Sequence, residues 1–179
     1  EAGFLNVSAT AQGAVWGDFD NDGDLDIFTG QGGVHLYRND EGVFVDISAD
    51  AGISTYAATY TIWGVTAADF DQDGDLDVAF AGGNQGSAGL AGPAFILQND
   101  EMIFNNVAVD VLGFEIILES WNPQWVDVNN DGLIDLWLPT IRTKTSEPCA
   151  LFINEGGAFA YTDTTTSGLG AKSAISSCW

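Results

Sequence analysis

The sequence predicts an all-β protein built from three tandem repeats whose spacing is typical of propeller blades. An acidic nine-residue motif occurs three times, at residues 18–26 (loop 1), 69–77 (loop 2) and 127–135 (loop 3). The copies are offset by 51 and 58 residues, a period expected of propeller blades or similar repeats. Each copy lies between two short β-branched or aromatic runs, a pattern that indicates a hairpin with a tight turn.

The motif concentrates oxygen ligands in a tight turn. Loop 1 has aspartates at positions 1, 3, 5, 7 and 9 and glycine at position 6. Glycine takes the positive φ of a sharp turn without a Cβ clash, and alternating side chains can then converge. Two unit charges 4 Å apart repel by about 1 kcal/mol in water and about 4 kcal/mol near a protein surface. A cation removes that repulsion, and Ca²⁺ accepts roughly six to eight oxygens in irregular geometry, whereas Mg²⁺ prefers a strict octahedron.

We therefore predict three calcium sites, with side-chain ligands at positions 1, 3, 5 and 9 and a backbone carbonyl ligand at position 7. In loop 3, position 3 is Asn129 and position 7 is Leu133, which weakens the expected affinity without changing the site. The predicted ligands are Asp18, Asp20, Asp22, Asp24 and Asp26 in loop 1, Asp69, Asp71, Asp73, Asp75 and Asp77 in loop 2, and Asp127, Asn129, Asp131, Leu133 and Asp135 in loop 3.

The motif is not an EF-hand, although an EF-hand loop begins in the same way. An EF-hand needs a glutamate at position 12 and a helix on each side. Position 12 is Thr29, Phe80 or Leu138, and the flanking residues favour strands. The ion would therefore sit in the turn of a β-hairpin and fix the register of its strands.

These motifs resemble FG-GAP and VCBS repeats, the calcium-binding propeller blades of the integrin alpha-chain type. After each loop comes an apolar run that ends in Asn and an acidic residue, followed by Phe, and the resemblance covers nearly the whole chain. It implies that each repeat is a four-stranded antiparallel sheet with calcium between its first two strands. The residues that carry this second pattern are Asn39 and Phe44, Asn99 and Phe104, and Asn154 and Phe159.

We expect residues 1–179 to form a single domain that is composed of repeats. Three repeats are fewer than the about four to eight blades of a closed propeller, so we expect an incomplete propeller or an open stack. Either the chain is a piece of a longer protein or neighbouring molecules complete its sheets. The predicted segments are an outer strand of a preceding blade at 1–13, repeats at 14–59, 60–119 and 120–170, and the first strand of a following blade at 171–179.

Charge restricts the class of partner. The net charge is −22, from 4 Lys and Arg against 26 Asp and Glu. Such a chain is not expected to bind nucleic acid, whose phosphates need basic residues, or anionic membranes. No apolar run approaches the length of a membrane-spanning helix. Because calcium is millimolar outside cells, modest-affinity sites indicate an extracellular protein, secreted or at the cell surface.

Cysteine and glycosylation signals agree with that compartment and leave alternatives open. Cys149 and Cys178 can pair in an oxidising environment, or both can be buried thiols. Asn6 begins the Asn-Val-Ser sequon, a possible N-glycosylation site.

We expect a non-enzymatic structural, adhesion or interaction module, able to self-assemble into a fibre through its terminal strands. The most obvious carboxylates are used by metal, and His35 has no suitably spaced nucleophile. The alternatives are a carbohydrate-binding, lectin-like module, with Trp63 and Trp121 as the ligand surface, and a fragment of a larger receptor or enzyme. Three tryptophans that recur at one repeat position are instead expected to pack between blades: Trp16, Trp125 and Trp179.

Overall fold

Three four-stranded antiparallel sheets, one for each loop, make up most of the part of the chain that the structure describes. The computed structural model describes residues 13–30, 33–56, 60–84, 92–113, 117–118, 120, 122–139 and 149–163. Each sheet has a linear strand order and does not close into a barrel. The predicted all-β fold of an open or incomplete propeller is confirmed.

In each sheet the strands follow one another in chain order, so every connection joins neighbours. Sheet 1 consists of β1 (Ala14–Gly17), β2 (Asp26–Thr29), β3 (His35–Asp40) and β4 (Val43–Asp46). Sheet 2 consists of β5 (Tyr60–Ala68), β6 (Asp77–Asn84), β8 (Phe95–Asp100) and β9 (Ile103–Asn106). Sheet 3 consists of β11 (Gln124–Val126), β12 (Asp135–Leu138), β13 (Ala150–Asn154) and β14 (Phe159–Asp163).

The loops are the turns of the first hairpin in each sheet, as predicted. The last residue pair before each turn joins the residue ahead of position 1 to the aspartate at position 9. These pairs are Gly17 with Asp26, Ala68 with Asp77, and Val126 with Asp135. Each loop is therefore closed by the strands that flank it in sequence.

The sheets stack face to face on two apolar clusters. Neighbouring residues of a strand point to opposite faces of its sheet, so sheet 2 contributes to both. Val78 and Phe80 pack with Phe28 and Leu36 of sheet 1, and Ala79 packs on the other side with residues of sheet 3. Burying a side chain as large as Phe28 contributes about 1.5–3 kcal/mol, so these contacts hold the repeats in one stack.

Small elements that the repeat pattern did not predict fill the connecting segments. They include a 3-10 turn at Ile53–Tyr56, the helix α1 at Ala108–Leu112, and a two-stranded sheet of β7 (Gly92–Pro93) with β10 (Ile117–Leu118). The helix buries Ala108 and Leu112 in the cluster between sheets 2 and 3. No helix among the described residues is both apolar enough and long enough to cross a bilayer.

The tryptophans at the shared repeat position behave differently in two sheets. Trp125 stacks on Phe70 of the preceding repeat, with ring centroids 5.7 Å apart and planes 5° apart, so packing between repeats is confirmed there. Trp16 is 56% exposed and makes an edge contact with Phe44 of its own sheet. The prediction is wrong for Trp16, because its side of sheet 1 faces away from sheet 2. Trp179 lies outside the described residues.

Candidate metal centres

The three loops share one backbone conformation. Position 4 has positive φ in every loop, at 60° for Asn21, 63° for Gln72 and 58° for Asn130. The glycines at position 6 have φ between 89° and 101°, a region that costs a side-chain-bearing residue steric strain. A Cβ at Gly74 would meet nothing within 4 Å. Glycine is therefore required by the backbone angle and not by lack of space.

Backbone amides orient the carboxylates at positions 1 and 5. In loop 1, Asp18 accepts hydrogen bonds from the amides of Asp22 and Gly23, both at 3.0 Å. Asp22 in turn accepts one from the amide of Asp24 at 2.8 Å. The same bonds recur in loops 2 and 3, with lengths between 2.8 and 3.2 Å. Each carboxylate keeps further lone pairs that can face a cation.

Carboxylates from the predicted ligand set converge in loops 1 and 2. Asp18, Asp20 and Asp22 each place one oxygen within 4.8 Å of the others, and Asp69, Asp71 and Asp77 do the same. In loop 3 the Asn129 amide donates to Asp131 at 2.8 Å and its oxygen accepts from the Asp131 backbone at 3.0 Å. Loop 3 thus has the same turn, but position 3 carries an amide in place of a carboxylate.

The aspartate side chains at position 7 of loops 1 and 2 accept hydrogen bonds from residues outside their own loop. The Asp24 carboxylate accepts from the amide of Glu41 at 2.9 Å, and the Asp75 carboxylate accepts from the amide of Glu101 at 3.3 Å. These partners lie in the turn between the third and fourth strands. The arrangement fits the expected backbone ligand at position 7 and explains why Leu133 can replace an aspartate there.

The aspartates at position 9 brace the fold, a role that sequence reasoning missed. Asp77 is fully buried. Its two oxygens accept from the amides of Phe70 in the loop and Asn99 in β8, at 3.0 and 2.9 Å. Asp26 and Asp135 are equally buried and make equivalent bonds between 2.8 and 3.0 Å. Position 9 therefore joins the loop to the third strand of its sheet.

The recurring asparagine at the end of the third strand ties one repeat to the previous one. Asn99 donates to the carbonyl of Phe19 in loop 1 at 2.9 Å, and Asn154 donates to the carbonyl of Phe70 in loop 2 at 2.8 Å. Asn39 donates to Leu25 of its own loop. The sequence signal for this role is the recurrence of Asn at one offset, but its partner lies about 80 residues away and only the folded chain identifies it.

Electrostatics in the loops favours a bound cation. Burial raises the pKa of Asp20, and the charges of Asp22 and Asp18 raise it further. Burial also raises the pKa of Asp71, as does the charge of Asp73. The ion pairs within the described residues are His35–Asp46 and Arg38–Asp40, so none of them neutralises a loop carboxylate. Clustered hard oxygen ligands with unbalanced negative charge are the donor set that calcium prefers.

The remaining predicted sites are only partly described. Cys149 is fully buried, whereas Cys178 lies outside the described residues, so their pairing stays a prediction. Asn6 and Trp121 are outside as well. Trp63 is half-buried at a bulge in β5, where the register shifts between Ile62 and Gly64.

Comparison with protein families identifies the segment that contains the first two loops. Residues 18–80 match a family model described as an FG-GAP-like repeat. The match begins at position 1 of loop 1 and ends in the strand that follows loop 2. The resemblance predicted from the motifs is confirmed by this match. Among curated proteins, no match was found.

Proposed function

We propose that this chain, which carries FG-GAP-like repeats in residues 18–80, is a calcium-dependent structural and interaction module that acts outside the cell. The repeat match and the stacked four-stranded sheets indicate a β-propeller-type interaction module. The proposal adds that this module depends on calcium, lies outside the cell and self-assembles.

The convergence of loop carboxylates is the observation that carries the proposal. Three carboxylate oxygens lie within 4.8 Å of one another in loop 1 and again in loop 2. Each set is oriented by backbone amides, and neither makes an ion pair within the described residues; the charge of Arg38 only partly offsets the raised pKa of Asp20. A bound calcium ion supplies positive charge that neutralises the cluster and joins positions 1, 3, 5, 7 and 9 of the turn.

The expected consequence is that calcium stabilises the fold. An ion bound only by the folded state adds about 2.7 kcal/mol per site at a concentration one hundred times its dissociation constant. Thermal unfolding of the full chain should therefore have a higher midpoint in millimolar calcium than in chelator. Asp22→Asn should reduce that difference and Asp24→Asn, which removes the same charge at a position that binds through its backbone, should reduce it less. An identical midpoint with calcium and with chelator would remove calcium from the structural role.

An extracellular location follows from the proposed sites. Exposed loops with three or four side-chain ligands are suited to the millimolar calcium found outside cells, since extracellular modules bind calcium with dissociation constants of about 10⁻⁴–10⁻³ M. A net charge of −22 also keeps such a protein apart from anionic surfaces.

The two outer faces of the stack support self-association. Leu76 packs on Gly17 of sheet 1, where a Cβ would lie 2.8 Å from its side chain. Its counterpart in loop 1, Leu25, is 54% exposed, and Trp16 is 56% exposed. At the other end Val128 is 39% exposed, whereas its counterpart Phe19 is buried. Near the loops, the outer faces of sheets 1 and 3 thus expose positions that are buried between the described sheets. Farther along these faces, Ile27, Tyr37 and Trp137 are buried, so the proposed contact is confined to the loop ends.

Association of these two faces would join unlike surfaces of neighbouring molecules. Such heterologous contacts close into rings or continue as helical filaments, depending on the rotation between subunits. Because such contacts can continue the stack of similar sheets from one molecule to the next, the proposed assembly is a fibre. The terminal strands expected to complete the junction, at about 4–8 and 174–179, lie outside the described residues.

A further inference from the structure

Amide side chains at position 4 join each loop to the next. Asn21 of loop 1 donates to the Asp75 carboxylate of loop 2 at 2.7 Å and lies 3.5 Å from the carbonyl of Gly74. Gln72 of loop 2 donates to the carbonyl of Gly132 of loop 3 at 2.8 Å. Both links run from position 4 of one loop to positions 6 or 7 of the following loop.

We propose that these two amides couple calcium binding in neighbouring loops, so that an ion in one loop raises the affinity of the loop beside it. The inference rests on the proposed calcium binding. It adds a positioning role for Asn21 and Gln72, which are not themselves ligands.

The donor is ordered by the site in its own loop. Asn21 lies between Asp20 and Asp22, the predicted ligands at positions 3 and 5, and its backbone has φ of 60°. An ion held by both aspartates would fix the chain on either side of Asn21. The amide is then held in the orientation that reaches loop 2, and less conformational freedom is lost when the link forms.

The acceptor is ordered by the site in the next loop. Gly74 and Asp75 occupy positions 6 and 7, and the carbonyl of position 7 is the predicted backbone ligand. Because the Asn21 link joins two segments that are each fixed by a different ion, it is most stable when both loops are filled. Thermodynamic linkage then requires each ion to favour the other by the same factor.

The two links have different acceptors because loops 2 and 3 carry different residues at position 7. Asn21 reaches the carboxylate of Asp75, whereas loop 3 has Leu133 at that position. Gln72, one methylene longer, reaches the backbone carbonyl of Gly132 instead. Since hydrogen bonds to charged groups are stronger than neutral ones, the coupling between loops 1 and 2 should exceed that between loops 2 and 3.

Loop 3 provides a matched control. Asn130 occupies position 4 with φ of 58°, and its side chain makes no hydrogen bond to any residue that the structure describes. Replacing position 4 by glycine removes the amide and accommodates the positive φ. Asn21→Gly and Asn130→Gly therefore impose the same local change, but only Asn21→Gly breaks a link between loops.

The test is a calcium titration of the full chain followed by NMR. The amides of Gly23, Gly74 and Gly132 each bond to the position 1 aspartate of their own loop and so report the three sites separately. Silencing loop 1 by Asp22→Ala should raise the calcium concentration at half-saturation of loop 2 by about fivefold, the effect of one net hydrogen bond. In an Asn21→Gly background the same silencing should leave loop 2 unchanged.

The outcomes separate the inference from the proposed function. If calcium shifts none of the three glycine signals, the proposed calcium binding fails. If calcium shifts all three but Asp22→Ala displaces the Gly74 titration equally with and without Asn21, the coupling role is overturned and the function stands. A displacement of the Gly74 titration by Asn130→Gly as large as that by Asn21→Gly would also overturn it, because the effect would then not depend on the link.

Discussion

The buried aspartate at position 9 combines a structural and a proposed metal-binding role. Asp77 accepts two backbone amides from different segments and also belongs to the carboxylate group of loop 2. Asp73, another predicted ligand, is exposed and accepts only the amide of Asp75 within its own loop. This difference between two aspartates of one loop allows the brace and the ligand to be separated by mutation.

Replacing Asp77 should destabilise the protein even without calcium. Asp77→Ala leaves the amides of Phe70 and Asn99 without acceptors, and each buried unsatisfied group costs about 1–3 kcal/mol. Chemical denaturation in chelator should therefore show a free energy of unfolding lowered by about 2–6 kcal/mol, whereas Asp73→Ala in the same buffer should change it little. Equal losses in chelator would contradict the bracing role.

The pKa of Asp77 predicts how stability depends on pH in the absence of calcium. Burial raises the pKa of Asp77 to about 7, from an ordinary value of 3.8, and burial also raises the pKa of Asp26. A raised pKa means that the folded state favours the protonated carboxyl. The part of the stability that comes from this preference for the protonated carboxyl is complete below about pH 4 and is lost as the pH rises through about 7.

Denaturation in chelator should accordingly give a lower free energy of unfolding at pH 8 than at pH 5. Asp77→Asn, which does not titrate, should reduce that slope. In saturating calcium the trend should reverse, because metal binding requires deprotonated carboxylates. A free energy that rises with pH in chelator would show that the buried carboxylates do not titrate as described.

At the scale of elements, the hairpins were predictable and their surroundings were not. The motif places a glycine and alternating aspartates between residues that favour strands, such as Trp16 and Ile27, and this information is local in sequence. The helix α1 and the β7–β10 pair lie in connecting segments with no repeated pattern. Their formation depends on tertiary packing, as when Ala108 and Leu112 enter the cluster between sheets 2 and 3.

In the candidate site, too, features that are local in sequence were predictable and contacts between distant residues were not. The predicted ligand positions could be read from spacing because they lie within nine residues. The bonds from Asn21 to Asp75 and from Asn99 to Phe19 span 54 and 80 residues. No periodic signal reveals such pairs until the stacking of sheets is known, so the contacts between loops emerged only from the structure.

At the scale of the whole molecule, the stack has a direction. Sheet 2 presents one face to sheet 1 and the opposite face to sheet 3. Trp16 and Trp125 occupy the same position of their repeats, yet Trp125 packs on Phe70 of the preceding repeat while Trp16 is exposed. Trp16 is therefore an exposed position of sheet 1 that is equivalent to a position packed inside the stack, although Ile27 and Tyr37 on the same face are buried.

The two tryptophans should respond differently to substitution. Trp125→Ala should lower the free energy of unfolding by about 2–4 kcal/mol, since large aromatic truncations in packed regions are costly. Trp16→Ala should change it by less than about 1 kcal/mol, as is usual at exposed positions. Trp16→Ala should instead shift the protein towards monomer in sedimentation experiments with calcium. A wild-type chain that remains monomeric at all concentrations would contradict assembly through this face.

Direct measurement of bound calcium tests the account most sharply. Equilibrium dialysis of the full chain should give three ions per molecule in millimolar calcium, one for each loop of the sequence. The double variant Asp18→Ala, Asp22→Ala should bind two, and a variant with the matching changes Asp69→Ala and Asp73→Ala should also bind two. Binding of three ions after both pairs of substitutions, or no saturable binding by the wild-type chain, would contradict the assignment of the loops as calcium sites.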